Sequence, residues 1–373
     1  MEERIYLDNN ATTQLDPKVL QAMHLELSGP PANPSSAHSF GQRAKGLLSK
    51  ARSRTAAYFG AKPEEIFFTS GGTEGLNTIL RSLKGHVITT AIEHSAVHHT
   101  LRASSVELTE LPVGLWGAPQ PAQVEEAIRP DTAAIVLSAA NGETGVKIDL
   151  EAMAALCHKR GIPLLIDAVA AIGKEPFTLY PGIASFALSA HKFHGPKGVG
   201  LLYLRAPTSF PSLFTGGAQE MGRRAGTENL AGILGLQEAL SLLSPQITEK
   251  MLALRMYLEQ SLTQAIPDTT INGLGPRIAN TTNIAFHGVD GETLLMQLDL
   301  AGVAVSHGSA CSSGSLEPSR VLINMGIDRK RARSSIRFSL SRFNTKSDID
   351  RAVAITAHIV AQLRALSNRC HHS

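Results

Sequence analysis

The segment SHGSACSSGSLEPS, Ser306 to Ser319, sets a thiol, Cys311, among serines and glycines. A buried cysteine keeps apolar company, so this one reads as displayed and mobile. In SFALSAHKFHGPKGVGLLYL, Lys192 follows one strand pattern and precedes another. A lysine in such a place becomes a nucleophile when its environment lowers its pKa or commits it to a Schiff base. Lys197 competes with it but sits in GPKG, a turn whose charge most simply points to water. Asp167 ends the apolar run PLLID, where it either caps the next element or holds the ring nitrogen of a cofactor protonated. In FTSGGTEGLN, Gly72 and Thr73 open a predicted helix, a combination of free amides and a hydroxyl that suits an anion. Without dinucleotide glycine spacing or a Walker lysine, a lone phosphate group fits better than a nucleotide. His94 in AIEHSAV could stack on a ring or move a proton, and Arg342 in RFSLSRFN could pair bidentately with a carboxylate or form a surface ion pair.

The elements around these residues give them a common origin. From about residue 65 to 205, β-rich runs (EEIFFTS, HVITT, TAAIVLSA, IPLLIDA) alternate with helical patterns (TEGLNTILRSL, SAVHHTLRA, DLEAMAALCHKR). This rhythm predicts an α/β fold whose mainly parallel sheet lies between helices, with ligands beyond the carboxyl ends of the strands. A helix from about Glu228 and another over Thr248–Ala265 follow. The remaining strands and helices predict a smaller α+β domain. The expected division is 13–247 for the large domain and 248–373, with 1–12 folded back onto it, for the small one. At 373 residues, 43% hydrophobic, the chain can bury a large core. Its 35 Lys and Arg against 32 Asp and Glu are interspersed, which argues against a nucleic-acid footprint or a membrane patch. Three cysteines far apart form neither a disulfide framework nor a metal site. No apolar run reaches the ~18 residues of a membrane span and no leader pattern precedes RIYLDNN, so a reducing, cytoplasmic setting is expected.

Together the motifs YLDNNATTQLDP, ANPSSAHSFGQRA, FTSGGTEGLN, IEHSAV, GETGV, LIDAVAAIGK, SAHKFHGPKGVG, TGGAQEMGRRAGTEN, GSACSSGSLEPS and RFSLSRF resemble the class V aminotransferase group of fold-type I pyridoxal phosphate enzymes, and within it the NifS-type cysteine desulfurases. The resemblance runs nearly end to end, and its GSAC loop and RFSLSRF are the most specific parts. It implies a seven-stranded-type sheet and pyridoxal 5'-phosphate held by Lys192 as a Schiff base, with Asp167 on the pyridine nitrogen and His94 stacked on the ring. The phosphate would be held by Thr73, with Gly72 amide support, by Ser189 and His191, and by Thr227 of a partner subunit, hence a homodimer. Arg342 would receive the carboxylate of L-cysteine. Cys311 would take the substrate sulfur as a persulfide, release alanine and hand sulfur to an acceptor or scaffold protein, in iron-sulfur cluster assembly. Selenocysteine lyase, another class V β-elimination, and a degenerate paralogue acting as a binding scaffold are the alternatives. The chain departs from the pattern at Gly142 and Ala170, where side-chain amides are expected near the cofactor's phenolic oxygen, and at Gly75, Leu76 and Ser341.

Overall fold

Continuously apolar strands need cover on both faces, and the chain supplies it. The computed structural model describes residues 4–206, 210–308 and 317–370. Numbered along the chain, the strands are β1 (Ile5–Tyr6), β2 (Ile66–Thr69), β3 (His86–Thr90), β4 (Glu107–Leu111), β5 (Thr132–Ser138), β6 (Leu164–Asp167), β7 (Ile183–Ser189), β8 (Gly200–Leu204), β9 (Thr269–Ile271), β10 (Thr281–Phe286), β11 (Val303–Ala304) and β12 (Ser335–Ser339). Seven of them form one sheet in the order β2-β8-β7-β6-β5-β3-β4. β4, β3, β5, β6 and β7 run parallel, and β8 is antiparallel to both β2 and β7.

Alternate residues of each strand enter different cores, as the pleat requires. Ile66, Phe68, Ile135, Leu137, Phe186 and Leu188 share one core with Leu48, Met153 and Leu236 from helices Ser39–Phe59, Leu150–Arg160 and Leu230–Ser241. Phe67, Ala134, Val136, Ala187 and Leu202 share the other with Leu76, Leu80, Val97 and Leu101 from helices Gly72–Leu80 and Ser95–Arg102. This sandwich brings the carboxyl ends of β3, β5, β6 and β7 to one rim, where Glu93, Gly142, Asp167 and Lys192 follow. The sequence rhythm carries no sign of β4: as an edge strand it leaves Glu107, Thr109 and Glu110 outside the core and never reads as an apolar run.

A second sheet, β12-β10-β9, is antiparallel and packs with helices Pro245–Ala265, Gly291–Leu300 and Lys346–Cys370 around Leu258, Phe286, Leu294, Phe338 and Val360. The two expected helices begin at Leu230 and Pro245 rather than near Glu228 and Thr248, because Asn229 and Ser244 take the capping positions. The amino-terminal segment ties this sheet to the large one. β1 pairs in parallel with β11, Asp8 bridges to Ser339, and Asn10 is buried against Thr281, Asn280 and the Gly142 carbonyl. Beyond it Thr13 binds the His191 carbonyl with both its amide and its hydroxyl.

Candidate active site

Helix Gly72–Leu80 starts where β2 meets β8, and its first turn fits only without a side chain. A methyl at Gly72 would come 2.4 Å from Val169 Cγ2 and 3.2 Å from Ser189 Oγ. The close approach leaves Gly71, Gly72 and Thr73 lining a cavity of about 410 Å³ with Ala11, Thr12, Ser189, His191 and Lys197. The Gly72 amide, expected to support the phosphate, is engaged with a neighbouring residue of the same cavity. It donates to Ser189 Oγ at 2.7 Å and so leaves the serine hydroxyl hydrogen free to turn toward an anion. His191 holds Thr12 Oγ1 at 3.1 Å, and burial together with the charge of Lys192 lowers its pKa to about 4, so it is a neutral partner here. Thr227 is exposed and is not among the residues lining this cavity in its own chain.

Lys192 closes a short turn, Ala190–Lys192, after β7. Its Nζ donates to the Asn10 carbonyl at 2.5 Å and to the Ala11 carbonyl at 3.0 Å, which places it beside the cavity that Ala11 lines. Asp167 ends the neighbouring strand, buried, and accepts one hydrogen bond among the described residues, from the Val169 amide at 2.9 Å. Burial raises its pKa, while His94, the Val169 amide and Lys192 pull it back down. A buried carboxylate with a single donor has room for a protonated ring nitrogen. His94 is exposed at the start of helix Ser95–Arg102, its Nδ1 accepting from the Ala96 amide. The donor set therefore fits pyridoxal phosphate: an amine, an under-satisfied carboxylate, an exposed imidazole and a cradle of small residues at a helix start.

Arg342 is ion-paired through Nη2 with Asp16, and its Nη1 is buried without a hydrogen-bond partner among the described residues. An orphaned guanidinium nitrogen is unusual in a protein interior, and an incoming carboxylate would satisfy it. Cys311 lies outside the described residues. The residues beyond its loop are anchored to the site: Ser319 Oγ donates to Glu143 at 2.5 Å, and Arg320 donates to the carbonyls of Ala91 and Glu93, just before His94. Gly142 and Ala170 stand together. A methyl at Gly142 would find the Ala170 Cβ, at 3.9 Å, as its only neighbour within 4 Å among the described residues.

Several residues that build the site carry no sequence signal of their own. Asn10 reaches Lys192 across 182 positions. Lys174, buried in the loop after Asp167, donates to the Lys192 carbonyl. Glu93 accepts from Ser138 and Thr90 beside Asp167, and burial pushes it up to about 7. Arg337 joins Asp8 to the Gly142 carbonyl. Their partners come from distant elements, so only the folded chain reveals them.

Residues 5–352 match the family model for class V aminotransferases. A cysteine desulfurase of Nostoc sp. is 43% identical over 97% of this chain and 94% of its own, and a cysteine desulfurase IscS of Dictyoglomus turgidum is 40% identical over 98% and 97%. Among solved structures, a NifS-like protein superposes with a TM-score of 0.88 at 34% identity, covering 96% of this chain and 99% of its own. A second, titled SspA in complex with cysteine, gives a TM-score of 0.81 at 31% identity over 91% and 100%. With a cofactor cradle and a lysine-carboxylate pair in the corresponding fold, this chain belongs to the class V aminotransferase family, among its pyridoxal phosphate-dependent cysteine desulfurases.

Proposed function

We propose that the protein converts L-cysteine to L-alanine and carries the released sulfur as a persulfide on Cys311, for delivery to an acceptor or scaffold protein that builds iron-sulfur clusters in the cytoplasm. The observation that supports this most directly is the placement of Lys192 and Asp167 at adjoining strand ends beside the Gly72–Thr73 cradle. Pyridoxal phosphate, when bound, supplies an aldehyde and an electron-withdrawing ring that makes the substrate's α-proton removable. Lys192 would hold the aldehyde, Asp167 the ring nitrogen, and Thr73, Ser189 and His191 the phosphate, with Thr227 of a partner subunit completing the cradle. The orphaned Nη1 of Arg342 would orient the substrate carboxylate.

With the substrate so held, the ε-amine of Lys192 takes the α-proton. The Cys311 thiolate attacks the substrate sulfur: a sulfur-sulfur bond forms, the carbon-sulfur bond breaks, and the electron pair stays with the substrate carbon. Two protons returned to that fragment, with the imidazole of His94 and Lys192 as carriers, give alanine. Loading the protein with pyridoxal phosphate and adding L-cysteine under a reductant should give alanine and sulfide in equal amounts. Cys311→Ser should still bind cofactor and L-cysteine with a spectral change, yet yield neither persulfide nor sulfide. Persulfide mapped by mass spectrometry to Cys370 would overturn the assignment.

A further inference from the structure

Seven residues after Asp167, the last residue of β6, the following loop reaches a lysine that the reaction outlined above does not use. Lys174 is 3% exposed, and no carboxylate lies within ion-pair distance of it among the described residues. A buried ammonium without a counter-charge is costly, so its place needs a reason. The loop is pressed against the Lys192 turn. At Gly173, φ is +81°, and a methyl there would come 2.5 Å from Phe193 Cβ. From this position Lys174 Nζ donates to the Lys192 carbonyl at 2.5 Å. The turn it grips is unusual: the next residue but one, His194, has φ of +69° and is held there by Thr13 Oγ1 and the Gln14 carbonyl.

We propose that Lys174 is a positioning residue for Lys192, holding its peptide carbonyl so that the side chain leaves the turn toward the cavity, and setting a second amino group behind it that competes for its proton. The inference rests on Lys192 being the cofactor-binding lysine. Asn10 and Ala11 offer Lys192 Nζ two carbonyls, which favour its charged, unreactive form. Lys174 opposes them, because two neighbouring amines in a buried volume do not both hold a proton easily. The same competition appears on the other side, where burial first and Lys192 second lower Lys174 to about 7. Among the described residues, the other groups that face this pair are Asp167, His191 and His194. Asp167, with His94 beside it, is a buried carboxylate whose charge favours the protonated form of Lys192 in every variant alike. His191 and His194 are each lowered to about 4 by burial, with Asp16 and Arg342 behind His194 and Lys197 near His191.

The test compares the full-length protein with Lys174→Met, Lys174→Gln and Lys174→Arg, each stripped of pyridoxal phosphate. Two pH profiles are read: formaldehyde-cyanoborohydride methylation of Lys192, followed in its peptide by mass spectrometry, and the rate at which the visible band returns on adding pyridoxal phosphate. Lys174→Met and Lys174→Gln should move the midpoint of Lys192 methylation upward by about one pH unit, which is about tenfold in reactivity near neutrality. Lys174→Gln keeps a donor for the carbonyl, so it should reload more readily than Lys174→Met. Lys174→Arg, a permanent cation, should keep the midpoint at or below that of the parent. If Lys174→Met does not fold, the Gln and Arg variants decide. A folded Gln variant with an unchanged midpoint, or an Arg variant with a raised one, overturns the proposal. Failure of the parent protein to take up pyridoxal phosphate would instead refute the cofactor role of Lys192, leaving the methylation profiles to judge Lys174 separately.

Discussion

At the scale of single residues, the unusual feature of this chain is a paired loss. Gly142 and Ala170 come from different strand ends yet face one another, so two amides expected beside the cofactor's phenolic oxygen are missing from one small region. A hydrogen bond to a charged group is worth about 1.5–3 kcal/mol, part of which a water in the vacated space can replace. Ala170→Gln should therefore lower the pH midpoint of the cofactor's visible band and raise the rate of alanine formation. An unchanged titration would place Ala170 away from the phenolic oxygen. The places of three candidate site residues were legible in the sequence: Asp167 ends an apolar run, and Thr73 and Lys192 stand a few residues beyond one, at the rim where an α/β sheet presents ligands. Lys174 and Glu93 were not legible, since a lysine or glutamate in a loop is ordinarily a solvated charge and only burial makes it otherwise.

At the scale of elements, the helix Gly72–Leu80 and the strand ends around it make the cradle, and each supports a separate prediction. Gly72→Ala must push Val169 or Ser189 aside, an overpacking that costs about 1–3 kcal/mol. It should weaken pyridoxal phosphate retention at least tenfold, measured by equilibrium dialysis, while far-ultraviolet circular dichroism stays native. Glu93 joins β3 to β5 by accepting from Thr90 Oγ1 and from the amide and hydroxyl of Ser138. Its folded pKa, about 7 against an ordinary 4.5, means that it favours folding below about pH 4.5 and that this contribution disappears as pH rises through 7. Glu93→Gln should remove that slope, on the order of 3 kcal/mol at most. The variant should gain in Tm relative to the parent between pH 5 and 8 (roughly the span of the titration); parallel Tm curves would show that Glu93 stays ionised throughout. The central strands could be read in advance because burial on both faces makes them continuously apolar, whereas β4 could not, because an edge strand half in water has no such mark.

At the scale of the whole molecule, the small sheet and the amino-terminal segment close the site from one side. Asn10 links Lys192, Gly142 and Asn280, so the candidate site lies where the two sheets join. The alternation of strand and helix patterns announced the mainly parallel sheet, but this junction depends on pairings such as Asp8 with Ser339, which no local pattern encodes. Thr227 is exposed and does not line the cradle's cavity in its own chain. Nearby, helix Pro17–Leu27 packs on helix Leu230–Ser241 and yet leaves Leu20, Leu25 and Leu27 56%, 66% and 71% exposed. Apolar side chains grouped along one helix in this way suit burial against another protein surface. If a second copy covers them and its Thr227 completes the phosphate site, cofactor binding and dimerisation must be linked by mass action. Light scattering should then show a dimer for the loaded protein. Cofactor retention should fall on dilution, and added pyridoxal phosphate should shift the dimer's dissociation to lower protein concentration. Thr227→Ala should keep the dimer but lose one hydrogen bond to phosphate, weakening retention by about tenfold or more. Leu25→Glu should weaken the dimer and cofactor retention together. A monomer that stays fully loaded at every concentration would show that each chain completes its own phosphate site.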